Sequence, residues 1–521
     1  MALKGWLIYI CMERRLVVDS VARVNLTQHS LLLLAVLFSL CSSSWRCCGG
    51  AAAAQELLKG FKATPDPSVS SFQSLLRDST GNYSLGFLRV EKTHLALAVV
   101  HVRSSESLWT AKINPLPRWS GGTELLFNGS LVVSDPRSGV FWSTYTDGDR
   151  VWLSNTSNLQ ILQGVSVDSV LWQSFDFPTN TLVENQNFTS AMSLVSANGL
   201  YSMRLGPDFI GLYAKFGHGS GPGQLYWKHT ALQAKAEIIN GQGPIYATLK
   251  SDGYLGMYQN GSVPVDVQSF NSYQVFVTGV RRLRLEQDGN LKGYFWTGSS
   301  WAPDYTAIPD PCELPNACGS YGLCEPGKGC SCLDNATALT ASGTCTSPEN
   351  QDSGDSPENQ DSGDLCQAFQ SKYKTLRKNG VELPFKELMG YVKMESFEEC
   401  ESACEVNCSC WGAVYSNTSG FCYTLEYPIG TLVRVMDESK MGFFKVREGA
   451  GRRKVRVGVW VGLGLLCGAI LVVGGVGVGW YKCRKEKRGV GGYGEEEIGI
   501  GVGPYKHLGA ESFRSIELSK R

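Results

Sequence analysis

Between Gly49 and Pro311 the chain has no cysteine, although it carries 18 in all. A stretch of that length without a thiol cannot be a disulfide scaffold and must close on ordinary apolar cores. The same half lacks any long run of helical period, which sets aside helix bundles and doubly wound α/β folds. Charge of one sign is also lacking: 48 basic side chains face 48 acidic ones, a formal net charge of zero. Nothing in that balance calls for nucleic acid or an acidic substrate. Six histidines are scattered, and no H-E-x-x-H, G-x-S-x-G or Cys–His arrangement is present. The residues therefore offer no metal, cofactor or nucleophile, and the chain reads as a non-enzyme. One catalytic class stays open, because a carboxylate pair among strands can hydrolyse glycosides without a sequence motif.

Charge is most completely missing from Val457–Tyr481, VGVWVGLGLLCGAILVVGGVGVGWY, 25 residues. As a helix it would span roughly 37 Å at ~1.5 Å per residue, against a hydrocarbon core of ~30 Å. Trp460, Trp480 and Tyr481 suit the lipid–water boundary. Its eight glycines would weaken a helix in water, but in lipid the backbone must bond to itself. Arg452, Arg453, Lys454 and Arg456 before it, and Lys482, Arg484, Lys485, Lys487 and Arg488 after it, argue against a buried core helix and point to anionic membrane lipid as a partner. We expect a transmembrane helix over 457–481 and a cytoplasmic tail over 482–521. Gly458/Gly462, Gly464/Gly468 and Gly475/Gly479 permit close helix pairing, hence a homodimer. Cys483, at the inner membrane edge, is a palmitoylation candidate. A tail of 40 residues has no room for a kinase, and Gly489–Gly494, although it spells G-x-G-x-x-G, follows no strand.

At the other end, Leu31–Leu40 (LLLLAVLFSL) follows Arg14, Arg15 and Arg23 and precedes the small residues Ala51–Ala54. This fits a signal peptide over 1–54, with initiation at Met12 or an uncleaved anchor as alternatives. After the leader, sequons occur at Asn82, Asn128, Asn155, Asn187, Asn260, Asn335, Asn407 and Asn417, and none follows the apolar stretch. The expected topology is single-pass type I at the plasma membrane, with the N-terminus outside and N-glycosylated.

From about Pro65 to Pro309 short apolar and β-branched runs alternate with turns. Asn-Gly or Asp-Gly begins at Asn128, Asp147, Asn198, Asn240, Asp252, Asn260 and Asp288. These pairs supply the positive φ that tight hairpins need. A weak repeat runs through the region: NGSLVV at Asn128, NTSNLQIL at Asn155, DGYLGMY at Asp252 and DGNLKGY at Asp288. Turn-into-strand units of this kind suggest sheets with internal symmetry.

Trp172–Leu182, WQSFDFPTNTL, resembles the WQSFDxPTDTL signature of plant bulb-type lectin domains in S-locus glycoproteins and S-domain receptor kinases. Leu108–Leu116, LWTAKINPL, and Gly81–Phe87, GNYSLGF, are similar to two further strands of that family. The resemblance implies a β-prism lectin domain at 65–185 and a second, lectin-like S-locus glycoprotein region at 190–305. The family's mannose pocket uses Q-x-D-x-N-x-V-x-Y, because alternate strand residues face one way and converge on one sugar. The frames around Asn128, Asn158 and Asp252 match poorly. The frame that keeps most is Glu286, Asp288, Asn290, Lys292 and Tyr294, so Glu286, Asp288, Asn290 and Tyr294 are the candidate carbohydrate ligands.

Cys312, Cys318, Cys324, Cys330, Cys332 and Cys345 crowd a small exported module that needs staples. Zinc is the rival reading, but paired C-x-x-C is missing. With DPCELPNACGSYGLC, the spacing resembles the same family's EGF-like module, here 310–346. That resemblance implies bridges Cys312–Cys324, Cys318–Cys330 and Cys332–Cys345. SPENQDSGD then occurs twice, over 347–364, acidic and without aliphatic or aromatic residues, as expected of a linker. Cys366, Cys400, Cys404, Cys408, Cys410 and Cys422 follow. Ser396-Phe-Glu-Glu399 is a capping box, so a helix is expected to start there, with Cys400 and Cys404 on one face. CESACEVNCSCWGAVY resembles the core of a PAN/apple module, here 366–447. Spacing leaves the pairing of these cysteines open, and all twelve are expected in disulfides.

The expected fold is mainly β: tandem β-prism lectin-like domains, an EGF-like module, a small α+β PAN module and one membrane helix. The expected function is recognition of an extracellular glycan or peptide by a receptor-like membrane protein that signals through a kinase-bearing partner receptor. A wall–membrane tether or decoy, and a glycoside hydrolase, are the alternatives.

Overall fold

The computed structural model describes residues 54–447 and 474–480, apart from 165–168, 216–222, 276, 278, 334–337, 340–344, 347–372 and 427–428. The chain divides into two compact units, up to Gly449 and from Ala450 onward. In the second unit the described residues form a short helix over 474–480. Among the described residues no helix is long and apolar enough to cross a membrane. The rest of Val457–Tyr481, the leader up to residue 53, the linker over 347–364 and the tail over 482–521 with Cys483 lie outside the described residues.

The first unit begins with two prisms, each of three four-stranded antiparallel sheets. Strand Glu124–Phe127 shows why these residues make such a fold. Leu125 and Phe127 point inward and are buried, while Glu124 and Leu126 stay half-exposed. Period-two alternation gives every sheet one apolar face, and three such faces close on one another. In the first prism Leu85, Leu97 and Val99 meet Leu125, Leu131 and Val133 from the second sheet and Val151, Leu159 and Ile161 from the third. In the second prism Met203 and Leu212 meet Leu249 and Met257, and Leu283 and Leu291. Each such fully buried side chain contributes about 1.5–3 kcal/mol. Of the seven Asn-Gly or Asp-Gly glycines, Gly129, Gly199, Gly241, Gly253, Gly261 and Gly289 adopt positive φ.

The two prisms share one winding order. Glu56–Leu58, Phe61–Ala63 and Phe72–Arg77 seed three sheets in turn, and the chain then completes them in reverse order. Thr181–Val183, Asn187–Phe188 and Leu194–Val195 do the same for the second prism. The seeds explain where the boundaries depart from expectation. Glu56–Leu58 and Phe61–Ala63 precede residue 65, and Thr181–Val183 pairs with Arg281–Leu285 of the second prism rather than with the first. Strands of 3 residues are too short to display alternation.

The three-disulfide module and the segment after it are joined. The hairpin Gly322–Glu325/Gly329–Cys332 lies in one sheet with Leu432–Arg434 and Val381–Glu382. Tyr321 and Leu323 pack with Val381, Trp411 and Phe444, and Tyr321 Oη donates to the Lys445 carbonyl at 2.9 Å. A five-stranded sheet in the order Tyr373–Asn379, Lys440–Arg447, Gly412–Ser416, Phe421–Leu425, Val392–Lys393 carries helix α1, Phe397–Val406. Ser396 caps α1 by accepting from the Glu399 amide at 3.2 Å, and Glu399 Oε2 accepts from the Glu395 amide at 2.9 Å. At the other end the buried Lys445 ammonium donates to the Cys404, Glu405 and Asn407 carbonyls at 2.9, 3.3 and 3.2 Å. That supplies the orphan acceptors of a helix terminus with a cation.

Candidate carbohydrate-binding site

Strands Arg281–Leu285 and Leu291–Trp296 form the hairpin that carries the sequence-predicted sugar ligands. Glu286 and Tyr294 meet on it: Tyr294 Oη donates to Glu286 Oε1 at 2.7 Å. Burial, then the Glu286 carboxylate, pushes the Tyr294 phenol well above its usual range. Asp288 Oδ1 accepts from the Asn290 amide at 2.8 Å, closing the turn, and its other oxygen lies 3.2 Å from Lys292 Nζ. Glu286–Tyr294 and Asp288–Lys292 thus form two partly exposed polar pairs on one hairpin. Asn290 does something else. It is 3% exposed, its Nδ2 donates to the Ile308 carbonyl at 2.7 Å and its Oδ1 accepts from the Ile308 amide at 3.1 Å. Both hydrogen-bonding ends of its amide are engaged inward, tying down the chain beyond the last strand.

Asn158 repeats that role in the first prism. It is 6% exposed, donates to Gln173 Oε1 at 2.8 Å, and accepts from Ser174 Oγ and the Phe175 amide at 3.3 Å. This accounts for part of the WQSF segment. Its tryptophan accounts for more. Trp109, Trp142 and Trp172 come from the last strand of each of the three sheets, with ring centroids 5.8–6.2 Å apart in edge contacts. Trp109 Nε1 donates to the Phe177 carbonyl at 2.9 Å, and Phe177 stacks on Trp172. The segment resemblance therefore rests on residues that close the prism. The signal that sequence reading passed over is the recurring tryptophan one residue from each sheet's end, in SLWT, VFWS and VLWQ.

The prisms meet through the sheet that bears Tyr294. Glu106 of the first prism reaches Arg282 Nη1 at 2.6 Å and Arg284 Nη1 at 2.9 Å, and Arg284 Nη2 donates to the Ser107 carbonyl at 2.9 Å. The Arg282 guanidinium lies 5.1 Å from the Tyr294 ring centroid and 4.0 Å from that of Trp301. The Glu286–Tyr294 pair is therefore placed beside the junction of the two prisms.

Five bridges are defined among the described cysteines: Cys312–Cys324, Cys318–Cys330, Cys332–Cys345, Cys400–Cys422 and Cys404–Cys410. Cys408 is also disulfide-bonded, and Cys366 lies outside the described residues. Cys318, Cys324 and Cys330 bring their sulfurs within 4.8 Å of one another, but each is already in a bridge. Of the sequons, Asn128, Asn155, Asn187, Asn260, Asn407 and Asn417 are exposed and Asn82 is half-buried; Asn335 lies outside the described residues.

Comparison with known proteins defines the class. Residues 107–204 match the D-mannose binding lectin family, and residues 254–336 match the S-locus glycoprotein domain. Among the relatives is a G-type lectin S-receptor-like serine/threonine-protein kinase of Arabidopsis thaliana, 27% identical over 65% of this chain; the match spans 38% of the kinase's length. EP1-like glycoprotein 4 of the same plant is 26% identical over 70% of this chain and 84% of its own length. The chain is thus a lectin-type S-domain protein. A PAN domain-containing protein of Arabidopsis thaliana is 52% identical over 94% of this chain and 98% of its own length. The chain belongs to that family of plant PAN domain-containing proteins.

Proposed function

We propose that the chain is a receptor-like, non-catalytic protein that recognises an extracellular carbohydrate or peptide ligand. It is held by one membrane span over 457–481 as a type I protein of the plasma membrane, and passes any signal to a kinase-bearing partner. The observation that carries the reading is the tandem of prisms in which residues 107–204 match the D-mannose binding lectin family. The S-receptor-like kinase relatives support a place beside a kinase, and the exposed sequons support a glycosylated outer face. The first ligand-binding position is the Glu286, Asp288, Lys292, Tyr294 set, with Asn290 holding its turn from beneath. A sugar there would be read by two carboxylates, an ammonium and a phenol.

A glycan array probed with the detergent-solubilised full-length protein tests this. Binding of a mannose-type or related glycan that falls in Glu286→Ala and Tyr294→Phe is expected. An array without signal, or a signal indifferent to both changes, would overturn the assignment. Release of the protein from membranes by carbonate would overturn the span.

A further inference from the structure

Six sheets build the two prisms, and five of them carry at least one Asp or Glu within their strands. The exception is the sheet of Leu194–Val195, Tyr201–Leu205, Phe209–Ala214 and Gln224–Thr230. Its inner face is apolar, with Met203, Leu205, Ile210, Leu212 and Tyr226 buried. On its outer face Arg204, Gly211 and Lys228 stand in one row across three strands, Arg204 paired with Gly211 and Gly211 with Lys228. Both cations are exposed, and among the described residues neither has a carboxylate partner. Exposed Lys215 follows Tyr213 at strand spacing on the same face.

The row is built rather than incidental. Gly211 leaves its centre without a side chain, and the Phe209 and Tyr213 rings close over it; a Cβ there would meet them at 3.0 and 2.9 Å. Each ring then supports one cation: Lys228 Nζ lies 4.3 Å from the Phe209 centroid and the Arg204 guanidinium 6.0 Å from that of Tyr213. Such contacts hold long side chains out over the face and lower the entropy lost when a ligand is clasped. Two strand spacings at ~4.8 Å set the two stems about 10 Å apart.

We infer that this face binds an acidic glycan, a chain of uronate sugars, through Arg204 and Lys228 either side of the ring-covered Gly211. The inference rests on the lectin reading above. A guanidinium takes a carboxylate in two parallel hydrogen bonds and an ammonium serves as a point charge for the next. Ser202, opposite Tyr213, and Thr230, opposite Phe209, border the row and suit sugar hydroxyls.

The test uses the full-length protein in detergent and four probes: oligogalacturonate, its methyl ester, a neutral mannan and phosphatidylserine vesicles. Oligogalacturonate should bind, lose affinity as salt is raised, and bind about tenfold more weakly to Arg204→Gln/Lys228→Gln, the loss expected of one or two charge-assisted contacts. The melting temperature of that variant should be unchanged, since both side chains are exposed. Equal binding of the methyl ester, or an unaltered affinity in the variant, overturns the inference. Binding of the vesicles without the uronate overturns it in favour of a lipid surface. Mannan bound without uronate overturns it and leaves the lectin reading standing, whereas silence from every saccharide removes both.

Discussion

Glu106 Oε2 lies 2.6 Å from Arg282 Nη1 and 2.9 Å from Arg284 Nη1, so one carboxylate of the first prism bridges two guanidiniums of the second. Burial works to raise the Glu106 carboxyl, but the two arginines outweigh it and hold the group below its usual range. Arg282 is nearly enclosed, whereas the Glu106 side chain keeps 39% of its exposure. Removing the carboxylate therefore falls between the loss of a surface pair and the loss of a buried one, about 2 kcal/mol for Glu106→Gln. Urea unfolding of the full-length protein checks this. An unchanged midpoint would mean that water already satisfies Arg282.

His101 sits at the same junction, 3% exposed, with its ring 4.8 Å from Trp296 and 5.4 Å from Trp301 and its Nδ1 2.9 Å from Ser104 Oγ. Burial first, then the Arg282 charge, pushes its pKa down, with Arg103 adding to this and Glu106 opposing it. The folded state thus favours neutral His101. As pH falls below the unfolded value of about 6.5, the unfolded chain takes a proton that the folded chain refuses, and stability is lost until the folded pKa is passed. The Glu106 contribution has the other origin and fails lower, as pH falls below the unfolded value of about 4.3. Melting temperature should therefore fall between pH 7.5 and 5.5 in the native protein and fall less in His101→Gln. Parallel pH profiles in the two proteins would refute the assignment.

Asn290 and Asn158 give a sharper separation of scaffold from ligand contact. Each holds backbone or side-chain partners from beneath a turn, so Asn290→Ala strands the Ile308 amide and carbonyl. Each stranded buried group costs about 1–3 kcal/mol, so either alanine variant should lower stability by about 2 kcal/mol. Tyr294→Phe and Glu286→Ala should change stability by less than about 1 kcal/mol while altering sugar binding. Denaturant midpoints set beside array signals distinguish the two kinds of residue. A stable Asn290→Ala protein that has lost its sugar would make the amide a ligand.

These same asparagines show where the sequence was legible and where it was not. Strand alternation and the Asn-Gly turns announce an all-β half because both are local. The capping box at Ser396 announces α1 for the same reason. Whether a turn asparagine faces a sugar or the chain beneath depends on residues 16–18 positions away, Ser174 for Asn158 and Ile308 for Asn290. The reverse-order closure of the sheets was hidden for another reason: all its seeds but Phe72–Arg77 are strands of 2 or 3 residues, too short to carry a period. The sharing of a sheet between the three-disulfide module and the segment after residue 372 depends on Leu323 meeting Leu432, a contact that no spacing rule encodes.

Cys400–Cys422 fastens α1 to strand Phe421–Leu425, across a sequence separation of 22. Closing a loop of that size stabilises by about 3 kcal/mol in the chain-entropy account, and the shorter Cys404–Cys410 loop by less. Cys400→Ser/Cys422→Ser should therefore lower stability more than Cys404→Ser/Cys410→Ser, which leaves Lys445 still capping the Cys404 carbonyl. Equal losses would assign the stabilisation to packing around the buried sulfurs instead.

The shared sheet makes a last prediction about how the modules hold together. Leu323 and Cys324 pair in parallel with Leu432 and Val433, Cys318 N donates to Thr431 Oγ1 at 2.8 Å, and Tyr321 Oη reaches the Lys445 carbonyl. No chain continuity through the acidic duplication is needed for any of these contacts. A protease site placed between Asp355 and Ser356, once cut, should leave both fragments co-eluting in native gel filtration. Tyr321→Ala, which removes a fully buried ring and its hydrogen bond, costs about 3–5 kcal/mol and should let the cut fragments separate at lower urea than the uncut chain unfolds. Fragments that part on cleavage without denaturant would show that the linker, not the sheet, keeps the two modules together.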